Sequence, residues 1–160
     1  MLGAPGEGFR IAMGALDGGR IGVASQAIGI ARAALDAALS HLRGRSAHGG
    51  GGTIETVQCL LADSATELDA AQLLVYRAAH LRDQRRPFTR EASMAKLFAS
   101  EAANKACLRA VQALGPDGCL SGHPAERHLR DVKVTTIYEG TSEVQRLVIA
   151  RSLLQSERRP

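Results

Sequence analysis

Apolar residues return along this chain at alternating steps of three and four, the rhythm of a helix with one buried face. Ile21, Ala24, Ile28, Ala31, Leu35, Ala38 and Leu42 keep that rhythm and predict a first helix over about 10–42. Gly22 and Gly29 weaken its propensity, and their expected return is close approach by a neighbouring helix. Residues 43–52 close on four consecutive glycines, a break in any regular element and an expected mobile loop. Thr53 is placed to cap a second helix, about 54–83, whose stripe is Val57, Leu61, Ser64, Leu68, Ala71, Val75 and Ala78. After Gln84–Pro87, Thr89 is placed to cap a third, about 90–114, with alanines at 92, 95, 99, 102, 106, 110 and 113 forming a smooth flank. Gly115-Pro116-Asp117-Gly118 stops it, and Pro124 suits the first turn of a short helix reaching Lys133. A last helix, about 142–154, is expected to turn Val144, Leu147, Val148 and Leu154 inward. Ser142, with Gln145 three residues on, fits a capping box at its start. The periodicity predicts an all-α, antiparallel up-down four-helix bundle with short additional helices. Its expected division is a lead-in over 1–9, the bundle over 10–155 and a tail over 156–160.

Composition narrows the picture. A chain of 160 residues suits one domain with a real core. With no Trp and 3% aromatics, that core must be Ala, Leu, Ile and Val, and little ring surface remains for stacking bases. The net charge of +4 is a modest excess that fits a phosphate-bearing small ligand, whereas a nucleic-acid face calls for denser clustering. Cys59, Cys107 and Cys119 lack CxxC spacing and read as reduced thiols of an intracellular, cytoplasmic protein. His48, His123 and His128 show no metal spacing with one another or with Cys119. No apolar run reaches the ~20 residues of a membrane span, and the first nine residues do not read as a secretory signal.

The chemistry gathers at Tyr138-Glu139-Gly140-Thr141-Ser142-Glu143-Val144-Gln145-Arg146. Here a carboxylate stands on a non-helical lead-in, next to the free N–H groups of a helix start, where an anion or phosphate ester is also welcome. Taken alone, Glu139 could equally serve only to complement the helix dipole. Asp17 and Arg20, three apart, share a helical face and on their own read as a surface ion pair worth under ~1 kcal/mol.

The Tyr-Glu-Gly-Thr-Ser-Glu-Val-Gln-Arg stretch resembles the C-terminal signature of acyl-CoA dehydrogenases. So do 16–24 (LDGGRIGVA), 61–67 (LADSATE), 74–79 (LVYRAA), 87–97 (PFTREASMAKL) and 126–131 (ERHLRD), which follow the family's order. The match covers nearly all of the chain, but only the family's C-terminal helical domain. Its N-terminal helical domain and middle β-domain have no counterpart in these residues.

That resemblance implies an FAD-dependent dehydrogenation of an acyl-CoA thioester, with Glu139 removing the α-proton. A carboxyl of ordinary pKa, about 4.3, is a poor base for such an acid, and burial beside an apolar chain improves it. In the family the thioester oxygen is held by the Glu backbone N–H and a flavin hydroxyl. Some branches carry the base on the first helix instead, at the position of Gly19 here, which leaves Glu139 as the candidate. Asp17, Arg20 and Gly140 are implied substrate contacts. Arg45, Gln112, Gly115, Thr141, Ser142 and Glu143 are implied FAD contacts, several of them across a subunit boundary. Departures accompany them. His48 replaces a Phe, Glu55 replaces a Gln, and Pro116 replaces a Gly and loses a donor. Arg45 can thus belong to a solvent loop, Gly115 to a helix stop and Ser142 to a cap. The resemblance further implies a homo-oligomer (dimer or tetramer), electron-transfer flavoprotein as acceptor, and a chain incomplete for activity alone. The rival readings are a non-catalytic bundle that joins a separate flavoprotein chain, and nucleic-acid binding through the basic excess.

Overall fold

The computed structural model describes residues 2–46 and 54–156. The four-glycine loop, His48 and Thr53 lie outside the described residues, as does the side chain of Arg45. Five α-helices follow in order: α1 (Gly8–Ser46), α2 (Ile54–Asp83), α3 (Thr89–Leu114), α4 (Pro124–Lys133) and α5 (Ser142–Ser156). Two short 3₁₀ turns, Gly115–Cys119 and Val134–Thr136, bracket α4.

Side-chain pairs fix the directions. Arg20 reaches Ser93 near the starts of α1 and α3, whereas a Cβ on Gly18 of α1 would stand 3.7 Å from the Arg82 guanidinium in the last turn of α2. Arg146, in the first turns of α5, meets Glu101 on α3, while Ser152 shares a cleft with Arg90 and Glu91 at the start of α3. Hence α1 and α3 run up and α2 and α5 run down, with α4 laid across α1 and α3. The predicted stripes form the core. Ala24, Ala31, Ala38, Ala71, Ala78 and the α3 alanines are almost wholly buried, and such small side chains let α3 lie close to its neighbours. No described helix is long and apolar enough to cross a membrane.

Several expectations fail at helix edges. Gly22 and Gly29 face solvent, and a Cβ on either would meet nothing within 4 Å, so they serve no helix approach. Thr89 is the first residue of α3, not its cap; Phe88 precedes it without a side-chain cap, and the Thr89 hydroxyl donates to Asp17 Oδ2. On α5, Val144, Leu147 and Leu154 are 42%, 56% and 69% exposed rather than inward. The helix packs mainly onto α3, and its more buried residues are Ser142, Gln145, Val148, Ile149 and Ser152. The capping box does not form either. Thr141 Oγ1 accepts from the Val144 N–H, and Gln145 bends back to the preceding turn.

Candidate active site

The turn 138–141 is left-handed at two successive residues, Glu139 with φ of 56° and Gly140 with φ of 96°. A non-glycine residue in that region is strained and must be held by its surroundings. Gly140 is needed twice over, since a Cβ there would also stand 2.5 Å from Gln145 Nε2. Two buried side chains hold the turn. Lys96, fully buried on α3, donates from Nζ to the Gly140 carbonyl at 2.7 Å. Gln145 Nε2 donates to the carbonyls of Glu139 and Gly140 at 3.1 and 3.0 Å. Tyr138, in the preceding position, donates its hydroxyl to Gln26 on α1.

So held, the Glu139 carboxylate points at the face of α1 that Gly19 leaves open. A Cβ at position 19 would lie 2.6 Å from Glu139 Oε2 and 2.8 Å from Cδ. Oε2 is buried and has no hydrogen-bond partner among the described residues. One turn away, Arg20 Nη1 pairs with Asp17 Oδ1 at 2.7 Å and approaches Ser93 Oγ at 3.3 Å. That pair is largely buried, with side chains 7% and 14% exposed, so the surface ion pair is replaced by an internal one. Burial and the Arg20 charge pull the Lys96 ammonium below the ordinary lysine range, and the Glu139 and Glu143 carboxylates pull it partly back.

Thr141, Ser142 and Glu143 open α5 and line a cleft of about 450 Å³ with Glu101, Lys105 and Lys133. Ser142 Oγ is buried without a partner among the described residues. Its own backbone N–H and the Thr141 hydroxyl lower the Glu143 carboxyl, keeping it charged at the helix start. The remaining candidates are elsewhere. Gln112 is exposed near the end of α3, and Gly115 follows at φ of 64°, some ~27 Å of helix from Lys96 at 1.5 Å per residue. Arg45 is in the last turn of α1, ~39 Å along that helix from Gly19. The structure therefore brings Asp17, Arg20, Glu139 and Gly140 together, with Thr141–Glu143 alongside, and leaves Arg45, Gln112 and Gly115 at the far end. Lys96 and the tether role of Gln145 escaped the reading of the sequence. The available signal was a lysine one position after Ala95 and three before Ala99, on the buried flank of α3.

Comparison with known proteins bears on the family and the fold. The family model described as "Acyl-CoA dehydrogenase, C-terminal domain" matches residues 6–154. The short-chain specific acyl-CoA dehydrogenase, mitochondrial, of Bos taurus is 56% identical over 159 residues, which is 99% of this chain and 39% of that protein. A caffeyl-CoA reductase–Etf complex subunit of Acetobacterium woodii is 48% identical over 155 residues, 96% of this chain and 41% of that one. The butyryl-CoA dehydrogenase structure from Megasphaera elsdenii superposes with a TM-score of 0.92 at 46% identity, covering 96% of this chain and 40% of that chain. The chain thus spans about two-fifths of the length of these relatives. With the matched region and the helical bundle in agreement, the chain belongs to the acyl-CoA dehydrogenase family and represents its C-terminal helical domain.

Proposed function

We propose that this domain supplies the proton-abstracting half of a flavin-dependent acyl-CoA dehydrogenase, with Glu139 as the base. The observation that carries the reading is the half-buried Glu139, its carboxylate aimed at the space above Gly19 and its Oε2 buried and unpartnered among the described residues. There it can take a proton from the carbon α to a thioester, and the neighbouring Arg20–Asp17 pair and Gly140 would border the substrate. The names of the relatives, short-chain acyl-CoA and butyryl-CoA dehydrogenases, support an acyl-CoA of short chain.

The first turn of α5 fits FAD. Ser142 offers a buried, unpartnered hydroxyl, Thr141 a second, and Glu143 an acceptor for a sugar hydroxyl, while Lys105 and Lys133 supply charge for phosphates. Bound FAD supplies the acceptor for the hydride leaving the β-carbon. Arg45, Gln112 and Gly115, at the opposite end of the bundle, are positioned to serve the FAD of a neighbouring subunit, so the protein would work as a dimer or tetramer. The Etf-complex relative supports electron-transfer flavoprotein as the next acceptor. Three free thiols suit a reducing compartment, the cytoplasm in our reading, although the bovine relative's name places that protein in mitochondria.

In the full-length enzyme, Glu139→Gln should keep flavin bound while reduction by acyl-CoA falls about 10²–10⁴-fold; reduction at the wild-type rate would move the base elsewhere. The 160-residue chain alone should bind FAD weakly and oxidise no acyl-CoA. The exposed apolar side of α5, with Val144, Leu147 and Leu154, also suits a second reading, a bundle that joins a separate flavoprotein chain. Tight one-to-one capture of such a chain, with Glu139→Gln silent in the complex, would favour it.

A further inference from the structure

A lysine with no exposed surface is expensive to keep charged, because several kcal/mol of ammonium hydration are lost. Lys96 is the largest of the fully buried side chains, and its bond runs to the turn that carries Glu139. We propose that Lys96 is a positioning residue for the proton transfer: it anchors the left-handed Glu139–Gly140 turn through the Gly140 carbonyl and so holds the Glu139 carboxylate facing Gly19. This rests on the assignment of Glu139 as base.

Three observations lead there. The turn has positive φ at two consecutive residues, so its carbonyls are turned toward α3, and Lys96 and Gln145 are the side chains that receive them. A neutral amide already bonds both carbonyls, so hydrogen bonding alone does not require a buried cation beside it. The charges then explain the choice. Arg20 on α1, Glu139 on the turn and Glu143 at the start of α5 are the charged groups that act on Lys96. Arg20 is paired directly with Asp17. The carboxylate left to balance Lys96 from the site side is Glu139, whose buried Oε2 has no hydrogen-bond partner of its own among the described residues. A cation that makes no direct salt bridge to Glu139 leaves that oxygen free to receive a proton.

The test uses the full-length enzyme and two independent readouts. By reciprocity of coupling, Glu139→Gln must shift the NMR titration of the Lys96 side chain to lower pH; an unchanged titration overturns the proposal. In stopped-flow flavin reduction by acyl-CoA, Lys96→Met should slow the limiting rate about 10²-fold and leave acyl-CoA affinity within about threefold. Gln145→Leu, which retains the charge, should slow the rate less. A Lys96→Met enzyme with lowered thermal stability but the wild-type limiting rate would show a structural role only and overturn the proposal. Should Lys96→Met not fold, the Lys96 titration in Glu139→Gln still decides. Rapid flavin reduction by Glu139→Gln would instead remove the base assignment, and the NMR coupling would stand apart from it.

Discussion

The two ends of the bundle bury their polar groups in different ways. Toward the ends of α1 and α3, around Ala34, Leu35, Leu61, Leu68, Ala106, Cys107, Leu114 and Val132, the core is apolar. The polar side chains buried there are hydroxyls that bond a carbonyl three or four residues earlier, Ser64 that of Leu60 and Thr135 that of Val132. At the opposite end, a second apolar cluster of Ile21, Ala24, Ile28, Val75 and Ala92 adjoins Arg20, Glu91 and Lys96. All three charged residues buried in the described bundle are at that end. A hydroxyl can satisfy itself on the preceding helical turn. A charge must find partners on other elements and still loses hydration. One end therefore satisfies its buried polar groups locally, and the other accepts a hydration cost at Arg20, Glu91 and Lys96, beside the turn that carries Glu139.

The largest effect on stability should come from the apolar end. Leu68 is 1% exposed within that cluster, and Leu68→Ala should remove about 2–5 kcal/mol of unfolding free energy in urea titration. In the intact enzyme the folded fraction should reduce its flavin within about twofold of the wild-type rate. A large change in rate with folding intact would mean that the two ends are coupled and the contrast is false.

The same contrast explains what the sequence could show. Stripes of Ala and Leu at three-four spacing report burial directly, so α1–α3 and their stripes could be read, as could α4 with Pro124 in its first turn. Glu139 was identifiable because its motif is local. Helix α5 was misjudged because periodicity finds an apolar face but not which side a single packing partner covers. Here the side against α3 carries Ser142 and Gln145, and Leu147 and Leu154 are left outside. Ser142 and Thr89 looked like caps because any hydroxyl before an apolar run does. Whether it bonds its own helix depends on other elements, and Asp17 claims Thr89. Lys96 could not be assigned, since nothing local tells a lysine that reaches solvent from one that meets a strained turn 44 residues later.

Gly19 sharpens the comparison from the other side. It is half-buried in α1, where alanine is the better helix former by roughly 0.5–1 kcal/mol. The added Cβ would meet only the far end of the Glu139 side chain, at 2.6 Å, and that end can swing away. Gly19→Ala should therefore keep or slightly raise thermal stability while flavin reduction drops by about 10²-fold, the usual cost of misplacing a reacting group by an ångström. Stability and rate moving in opposite directions would separate the two ends by one methyl group. Unchanged reduction would show that the carboxylate works from another position.

Glu91 offers a smaller effect. Burial pushes its carboxyl up, but the Arg90 guanidinium at 2.7 Å, its own backbone N–H and the Arg77 charge outweigh that and hold it below the ordinary range. A lowered carboxyl stabilises the fold above the ordinary value near 4.5 and loses that contribution as pH falls through the lowered one. Because Arg77 and Arg90 are partly in solvent, the contribution should be at most about 1 kcal/mol. Thermal melts of Glu91→Gln should accordingly fall below wild type near neutral pH and converge with it in acid. A gap that persists or widens in acid would mean the carboxyl is not lowered.

The mildest probe perturbs nothing. Cys107 is in the apolar end, and burial pushes its thiol up to about 12, whereas Cys59 and Cys119 are exposed. Only a thiolate attacks a disulfide reagent, so the native 160-residue chain should titrate two thiols promptly and the third only in denaturant. The apolar end thus accommodates a titratable group by keeping it neutral, while at the other end the Glu139 and Glu143 carboxylates pull the lowered Lys96 ammonium partly back. Prompt reaction of Cys107 in the folded chain would mean that the apolar end opens readily, and that its dryness is not what distinguishes it from the end that holds Glu139.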